Sequence, residues 1–183
     1  ARGIDVRVFE KVAQLKPLGV GINLLPHAAR VVHELGLADK LAATGIQTSK
    51  LEYYNKFGQL IWSEPRGLAA GYAVPQYSIH RGDLQMLLYE AAIERLGRER
   101  IRTNASFEVA EERGDTVVAR FRDSDGSTFE AEGCALIAAD GIHSVLRKTF
   151  YPNEGDPNFA QRILWRAVTE GKPFLDGGTM IMA

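Results

Sequence analysis

The sequence predicts an α/β fold carrying a three-stranded antiparallel insertion. Three observations predict it. Ile4, Val6 and Val8 alternate with polar residues ahead of Phe9 and Glu10, the pattern of a strand within a sheet. Leu84, Leu87, Leu88, Ala91, Ala92 and Leu96 fall at i, i+3, i+4, i+7, i+8 and i+12, which makes one apolar helix face. Between residues 107 and 132, short alternating segments are split by Gly114-Asp115 and Asp125-Gly126, the chemistry of tight hairpin turns.

Taken in order, Gly3 reads as the stop of a preceding helix. Together with Ala1 in place of Met, it leads us to expect a piece of a longer protein. Residues 4–10 form a central strand. Pro17, Gly19 and Gly21 make 16–23 a loop. Pro26 suits a first helical turn, Ala28, Val31, Val32 and Leu35 continue it, and Gly36 ends it. A short helix over 38–44 stops at Gly45. Residues 51–54 and 59–62 flank Asn55-Lys56-Phe57-Gly58 as a hairpin. Pro65, Gly67, Gly71 and Pro75 mark 64–76 as a long loop.

Residues 77–80 are extended. Asp83 caps the helix over 84–96, which Gly97 closes. Strands follow at 107–113, 116–122 and 128–132, then an apolar strand at 134–139. Ser144 caps a helix that runs to Phe150. Pro152, Gly155 and Pro157 mark a boundary, and 163–169 and 179–182 read as strands of a second region.

Composition excludes several classes. The 183 residues are 45% hydrophobic and 25% charged, with 22 Lys+Arg against 23 Asp+Glu. That is ordinary globular usage. Without a basic run, nucleic acid held by phosphate neutralisation is not the expected partner. Cys134 stands alone, so no disulfide framework forms. In its apolar strand it reads as a buried, inert thiol. No apolar run approaches the ~20 residues of a membrane span, and a cytoplasmic setting is expected. His27, His33 and His143 lack metal-ligand spacing, so no metal site is expected. No Gly-x-Ser-x-Gly occurs, which leaves serine-hydrolase chemistry unsupported.

Four places carry candidate chemistry, each beside a plainer reading. Glu10 ends an early strand, where a carboxylate can accept hydrogen bonds from a ribose or merely be solvated. Gly19-Val20-Gly21 can admit a flat ligand close to the backbone, or be a plain loop. Arg81 opens the long helix, where a guanidinium can pair with a pyrophosphate or with a surface carboxylate. Asp140-Gly141 follows an apolar strand, at a ligand-binding strand tip or at a simple turn. Trp62, Tyr72 and Tyr77 could face an aromatic substrate or pack the interior.

The order of these motifs carries more than any one. Glu10, Pro17-Leu18-Gly19-Val20-Gly21-Ile22-Asn23, His80-Arg81, and Ala139-Asp140-Gly141-Ile142-His143-Ser144 with Arg147 form one series. The series resembles the FAD-binding region of the group A flavoprotein aromatic hydroxylases, the p-hydroxybenzoate and salicylate hydroxylase family, over nearly the whole chain. Trp62-Ser63-Glu64-Pro65-Arg66-Gly67, Pro75-Gln76-Tyr77-Ser78-Ile79, Trp165-Arg166 and Phe174-Leu175-Asp176-Gly177 resemble its phenazine-hydroxylating members.

The resemblance implies a Rossmann-like FAD-binding domain with a small antiparallel β insertion and the start of a mixed-sheet substrate domain. FAD-binding parts would be 1–50 and 77–150, and substrate-domain parts 51–76 and 151–183. It implies NADH or NADPH as co-substrate, and oxygen transfer to a small aromatic, phenazine-like substrate from O2 through a flavin C4a-hydroperoxide. Glu10 would hold the adenosine ribose. Val20 and Gly21 would lie near the isoalloxazine. Arg81 would contact the pyrophosphate or ribitol, with Gln85 one turn on. Phe107 would offer a backbone contact to adenine. Asp140 and Gly141 would support FAD and the nicotinamide, Asp140 partly by pairing with Arg81. Arg166 would be a functional arginine on the substrate side.

Ala138 stands where the family has Gly. The family's Gly-x-Gly-x-x-Gly turn, expected before Glu10, and its later Gly-Asp motif are not in the sequence. The alternatives are a truncated, non-catalytic fragment and a related flavoprotein oxidoreductase or halogenase.

Overall fold

A computed structural model describes residues 3–183. In chain order the elements are β1 (Val8–Phe9), β2 (Gly21–Leu24), α1 (Pro26–Glu34), α2 (Ala38–Thr44), β3 (Ile46–Thr48), β4 (Lys50–Tyr54) and β5 (Leu60–Pro65). A 3-10 turn at Gly67–Ala70 leads to β6 (Gln76–His80), α3 (Arg81–Leu96) and β7 (Ile101–Arg102). Then come β8 (Ser106–Arg113), β9 (Thr116–Arg122), β10 (Thr128–Gly133), α4 (Val145–Phe150) and β11 (Thr179–Met182). The chain is α/β with a three-stranded antiparallel unit, as the periodicities require. The described residues divide into two compact units. One holds 16–91 and 165–183; the other holds 4–15 and 92–164.

In the first unit, β6 lies between β2 and β3 and is antiparallel to both. Helices α1, α2 and α3 supply Ala29, Val32, Leu41, Leu84, Leu87 and Ala91 to a core closed by Tyr77 and Ile79 of β6. Leu41 and Tyr77 are essentially inaccessible to solvent, each worth roughly 1.5–3 kcal/mol of burial. The α3 residues buried here come from the apolar stripe read in the sequence. A second sheet has the order β11-β4-β5, with β5 returning antiparallel on β4 and β11 joining β4 in parallel, Met180 opposite Leu51.

In the second unit, β8, β9 and β10 form an antiparallel meander. Phe121 of β9 stacks on Phe9 with ring centroids 4.3 Å apart and on Phe129 at 5.3 Å. Phe107 meets Phe121 edge-on at 5.8 Å. The Arg102 guanidinium lies 3.4 Å over the Phe129 ring and pairs with Asp123 at 2.7 Å. Strand β1 pairs in parallel with β7, Val8 opposite Ile101.

Several expectations are corrected. Residues 4–10 are not a central strand: only Val8–Phe9 pair, and Ile4 is 76% exposed. The loop expected over 16–23 gives way to β2 at Gly21, because β6 offers it a ladder. Helix α3 starts at Arg81, so Asp83 sits inside its first turn and is not a cap. Residues 134–139 form no strand, since no described strand pairs with them, and Cys134 is exposed. Residues 163–169 are likewise irregular and exposed. The loop over 64–76 is shortened by β5, which extends to Pro65. No helix among the described residues is long and apolar enough to cross a membrane.

Candidate functional site

The first unit builds a junction between the Pro17–Gly21 segment and the start of α3. Strand β2 begins at Gly21, opposite His80, the last residue of β6. The chain therefore passes straight from that pairing into the helix. The Arg81 amide donates to the Val20 carbonyl at 3.0 Å. His80 Nε2 lies 2.9 Å from the Gly19 carbonyl. A carbonyl only accepts, so the hydrogen of that bond sits on Nε2. The other ring nitrogen, Nδ1, lies 3.5 Å from Asp83 Oδ1.

Two glycines let these surfaces close. Gly19 has φ +136°, and a Cβ there would lie 2.7 Å from Arg81 Nε, so the guanidinium occupies the space a side chain would take. Gly82 is buried, and a Cβ on it would lie 2.7 Å from the Leu18 amide nitrogen. Gly21 differs from both. It is exposed, and nothing lies within 4 Å of where its Cβ would be. Among the described residues no carboxylate forms an ion pair with Arg81. Its guanidinium is exposed, and Gln85 lies one turn on, exposed on the same helix face.

The second unit holds the other predicted residues. Glu10 is half-buried just after β1. Its amide donates to Arg102 O at 2.9 Å, and its Oε1 accepts from the Val12 amide at 2.9 Å. That leaves Oε2 as a directed acceptor. Phe107 packs its ring against Phe121 while its backbone lies on β8 beside β9. Asp140 Oδ2 accepts from the Val145 amide at 3.0 Å, and Ser144 Oγ accepts from the Arg147 amide at 3.0 Å. Together they close the start of α4. Burial would push the Asp140 carboxyl up, but hydrogen bonds from Ser144 and the nearby amides hold it below the usual aspartate value. Gly141 follows with φ +80° and open space around it.

The structure thus brings Val20, Gly21, Arg81 and Gln85 together in one unit. Glu10, Phe107, Asp140 and Gly141 lie in the other. Arg166 is in an exposed irregular stretch and enters no hydrogen bond or ion pair among the described residues. Of the three aromatic candidates, Tyr77 is interior, whereas Trp62 and Tyr72 are exposed.

Sequence reasoning named His80 only as part of the His80-Arg81 motif and gave neither it nor Gly82 a role. The available signal was a glycine in the first turn of a strong helix, which costs about 1 kcal/mol against Ala and so asks for a close-packing reason.

A flat, anionic ligand suits the first junction. Backbone without a side chain is open to it at Gly21, and an unpaired guanidinium lies beside it. A glycine-lined loop with a cation at a helix start, carried on an α/β fold, suits the flat ring and phosphates of a nucleotide cofactor.

Comparison with known proteins narrows the class. The profile of the FAD-binding domain family matches residues 1–158, and the chain belongs to that family. It is 46% identical to the phenazine 1,6-dicarboxylic acid hydroxylase PhzS of Lysobacter antibioticus, over all of this chain and 46% of that protein. It is 41% identical to the 3-amino-4-hydroxybenzoate 2-monooxygenase of Streptomyces cremeus, over 81% of this chain and 36% of that protein. The crystal structure of Klebsiella pneumoniae HpxO complexed with FAD and uric acid superposes with a TM-score of 0.63 at 27% identity, covering 80% of this chain and 36% of that one. The chain spans less than half the length of these relatives. The Rossmann-like FAD-binding fold is thereby shown, and FAD is the cofactor of the family.

Proposed function

We propose that the protein acts as an FAD-dependent monooxygenase that hydroxylates a small, planar, phenazine-like aromatic substrate with NADH or NADPH and O2. The observation that carries this reading is the Arg81 guanidinium seated beside Gly19, with open space at Gly21, in a chain 46% identical to a phenazine dicarboxylic acid hydroxylase. When bound, FAD supplies the redox chemistry and the activation of oxygen.

The side chains bind and orient. Arg81 neutralises pyrophosphate charge, and Gln85 adds a polar contact on the same helix face. Gly21 presents bare backbone to the flavin ring, with Val20 beside it. Glu10, with one carboxylate oxygen tied to the Val12 amide, directs the other to the ribose hydroxyls. The Phe107 backbone serves adenine. Asp140 and Gly141, held by the α4 cap, serve FAD and the approach of the nicotinamide. Arg166 is assigned to the substrate side, where its exposed guanidinium suits a carboxylate on the ring.

With this reading goes a division of the chain into FAD-binding parts at 1–50 and 77–150 and substrate-domain parts at 51–76 and 151–183. The parallel pairing of β11 with β4 supports placing 51–76 and the end of the chain in one sheet. The test is to purify the protein with FAD and supply NADH or NADPH, phenazine carboxylic acids and 18O2. One 18O atom in the hydroxylated product is expected. NAD(P)H oxidation that yields only hydrogen peroxide with every aromatic tried, or incorporation of halide, would reject it.

A further inference from the structure

We propose that His80 is a positioning residue for the flavin-facing loop. Its imidazole hydrogen-bonds a loop that the rest of the junction holds through the Arg81 amide and through packing of the Arg81 guanidinium on Gly19. On one side Nε2 holds the Gly19 carbonyl at 2.9 Å. On the other, Nδ1 faces the Asp83 carboxylate at 3.5 Å, inside the first turn of α3. The peptide between Gly19 and Val20 is thus held at its oxygen by an imidazole carried on the last residue of β6, directly ahead of α3. One residue on, the Val20 oxygen is held by the Arg81 amide. Two successive carbonyls are thus engaged, and nothing lies within 4 Å of where a Gly21 side chain would begin.

Gly19 sits at φ +136°, a conformation available to glycine but with no side chain of its own to hold it. A glycine-rich segment loses much entropy on ordering, so a side-chain tether is the economical way to fix it before a ligand arrives. Gly82 permits the approach by leaving room for the Pro17-Leu18 backbone, but it donates nothing to Gly19. His80 is the side chain that does. The assignment concerns the loop's conformation, and only its consequence for flavin rests on the function proposed above.

Amide hydrogen exchange on the FAD-free chain tests it directly, with His80→Leu and His80→Gln. Glutamine keeps a side-chain N–H that can reach the Gly19 oxygen; leucine does not. Expected for His80→Leu is roughly tenfold faster exchange at residues 18–22, the loss of one hydrogen bond of ordinary strength. The core amides of α1 and of β8 to β10 should not change. His80→Gln should recover most of the protection.

Flavin fluorescence, read in parallel, should show FAD quenched less strongly at a given concentration by the leucine variant than by wild type. If wild type does not quench FAD, the cofactor reading for this chain fails, while the exchange data still decide the tether. Unchanged exchange at 18–22 in His80→Leu overturns the proposal. So does acceleration spread equally through α1, which would make His80 a general packing residue. Failure of His80→Gln to recover protection overturns it as well.

Discussion

Replacing Gly82 by alanine sets two opposing effects against each other. In an open helical position the change would stabilise the chain by about 1 kcal/mol, because alanine is the better helix former. Gly82 is not open. The new Cβ would lie 2.6 Å from Pro17 Cα and 2.7 Å from the Leu18 nitrogen, both backbone atoms. Neither can rotate away as a side-chain tip could. Overpacking costs typically 1–3 kcal/mol, and three rigid backbone atoms inside 3.0 Å put Gly82 in the upper part of that range, at about 2–3 kcal/mol, so the expected net result is a loss of about 1–2 kcal/mol. With a urea slope of about 2 kcal/mol/M, the midpoint should fall by roughly 0.5–1 M at unchanged slope. Gly21→Ala is the matched control. Its Cβ meets nothing within 4 Å, so its midpoint should move little, while its FAD affinity drops because the methyl enters the space assigned to the flavin. A Gly82→Ala protein as stable as wild type, or more so, would refute the packing of Pro17-Leu18 on α3.

Three further outcomes follow from the geometry. Ser144→Ala removes the acceptor of the Arg147 amide and should cost about 1 kcal/mol, seen as faster amide exchange over 145–150. Glu108 is hydrogen-bonded by Arg122 at 2.5 Å and by Arg120 at 3.2 Å, which holds its carboxyl below the ordinary glutamate value of 4.5. A lowered folded value means the stabilisation is present above the unfolded value and is lost as pH falls through the folded one. Glu108→Gln should therefore flatten the acid limb of the stability curve below about pH 4.5, and added salt should shrink the difference. Cys134 is exposed, so a thiol reagent should titrate one cysteine in the native protein without denaturant. Reaction only after unfolding would restore the buried reading.

What was legible in the sequence was local. The stripe of α3 was visible because residues three and four apart share a helix face, and the structure buries Leu84, Leu87 and Ala91 of that stripe. The Ser144 cap, the Asn55–Gly58 hairpin and the Asp125-Gly126 turn were visible for the same reason: each is closed by hydrogen bonds within a few residues, such as Phe57 N to Asn55 Oδ1 and Ser127 N to Asp125 Oδ1. Candidate ligand residues could be named from motif order.

Strands were less legible, because a strand is defined by its partner. Residues 134–139 and 163–169 have the apolar content of strands, yet no described strand pairs with them. Residues 21–23 read as the end of a loop from Pro17, Gly19 and Gly21, and become a strand because residues 77–80 lie beside them.

By itself, then, the sequence determined the helices, the tight turns, the class of fold and the residue types a flavin site requires. Only the tertiary structure decided which segments pair, that Gly19 yields its space to Arg81, that Gly82 yields its space to Pro17 and Leu18, and that His80 ties the loop to the helix. The reason is physical. Helix and turn bonds span a few residues and are written in local spacing, whereas the bond from His80 to Gly19 spans 61 residues and exists only once the sheet has brought both ends together.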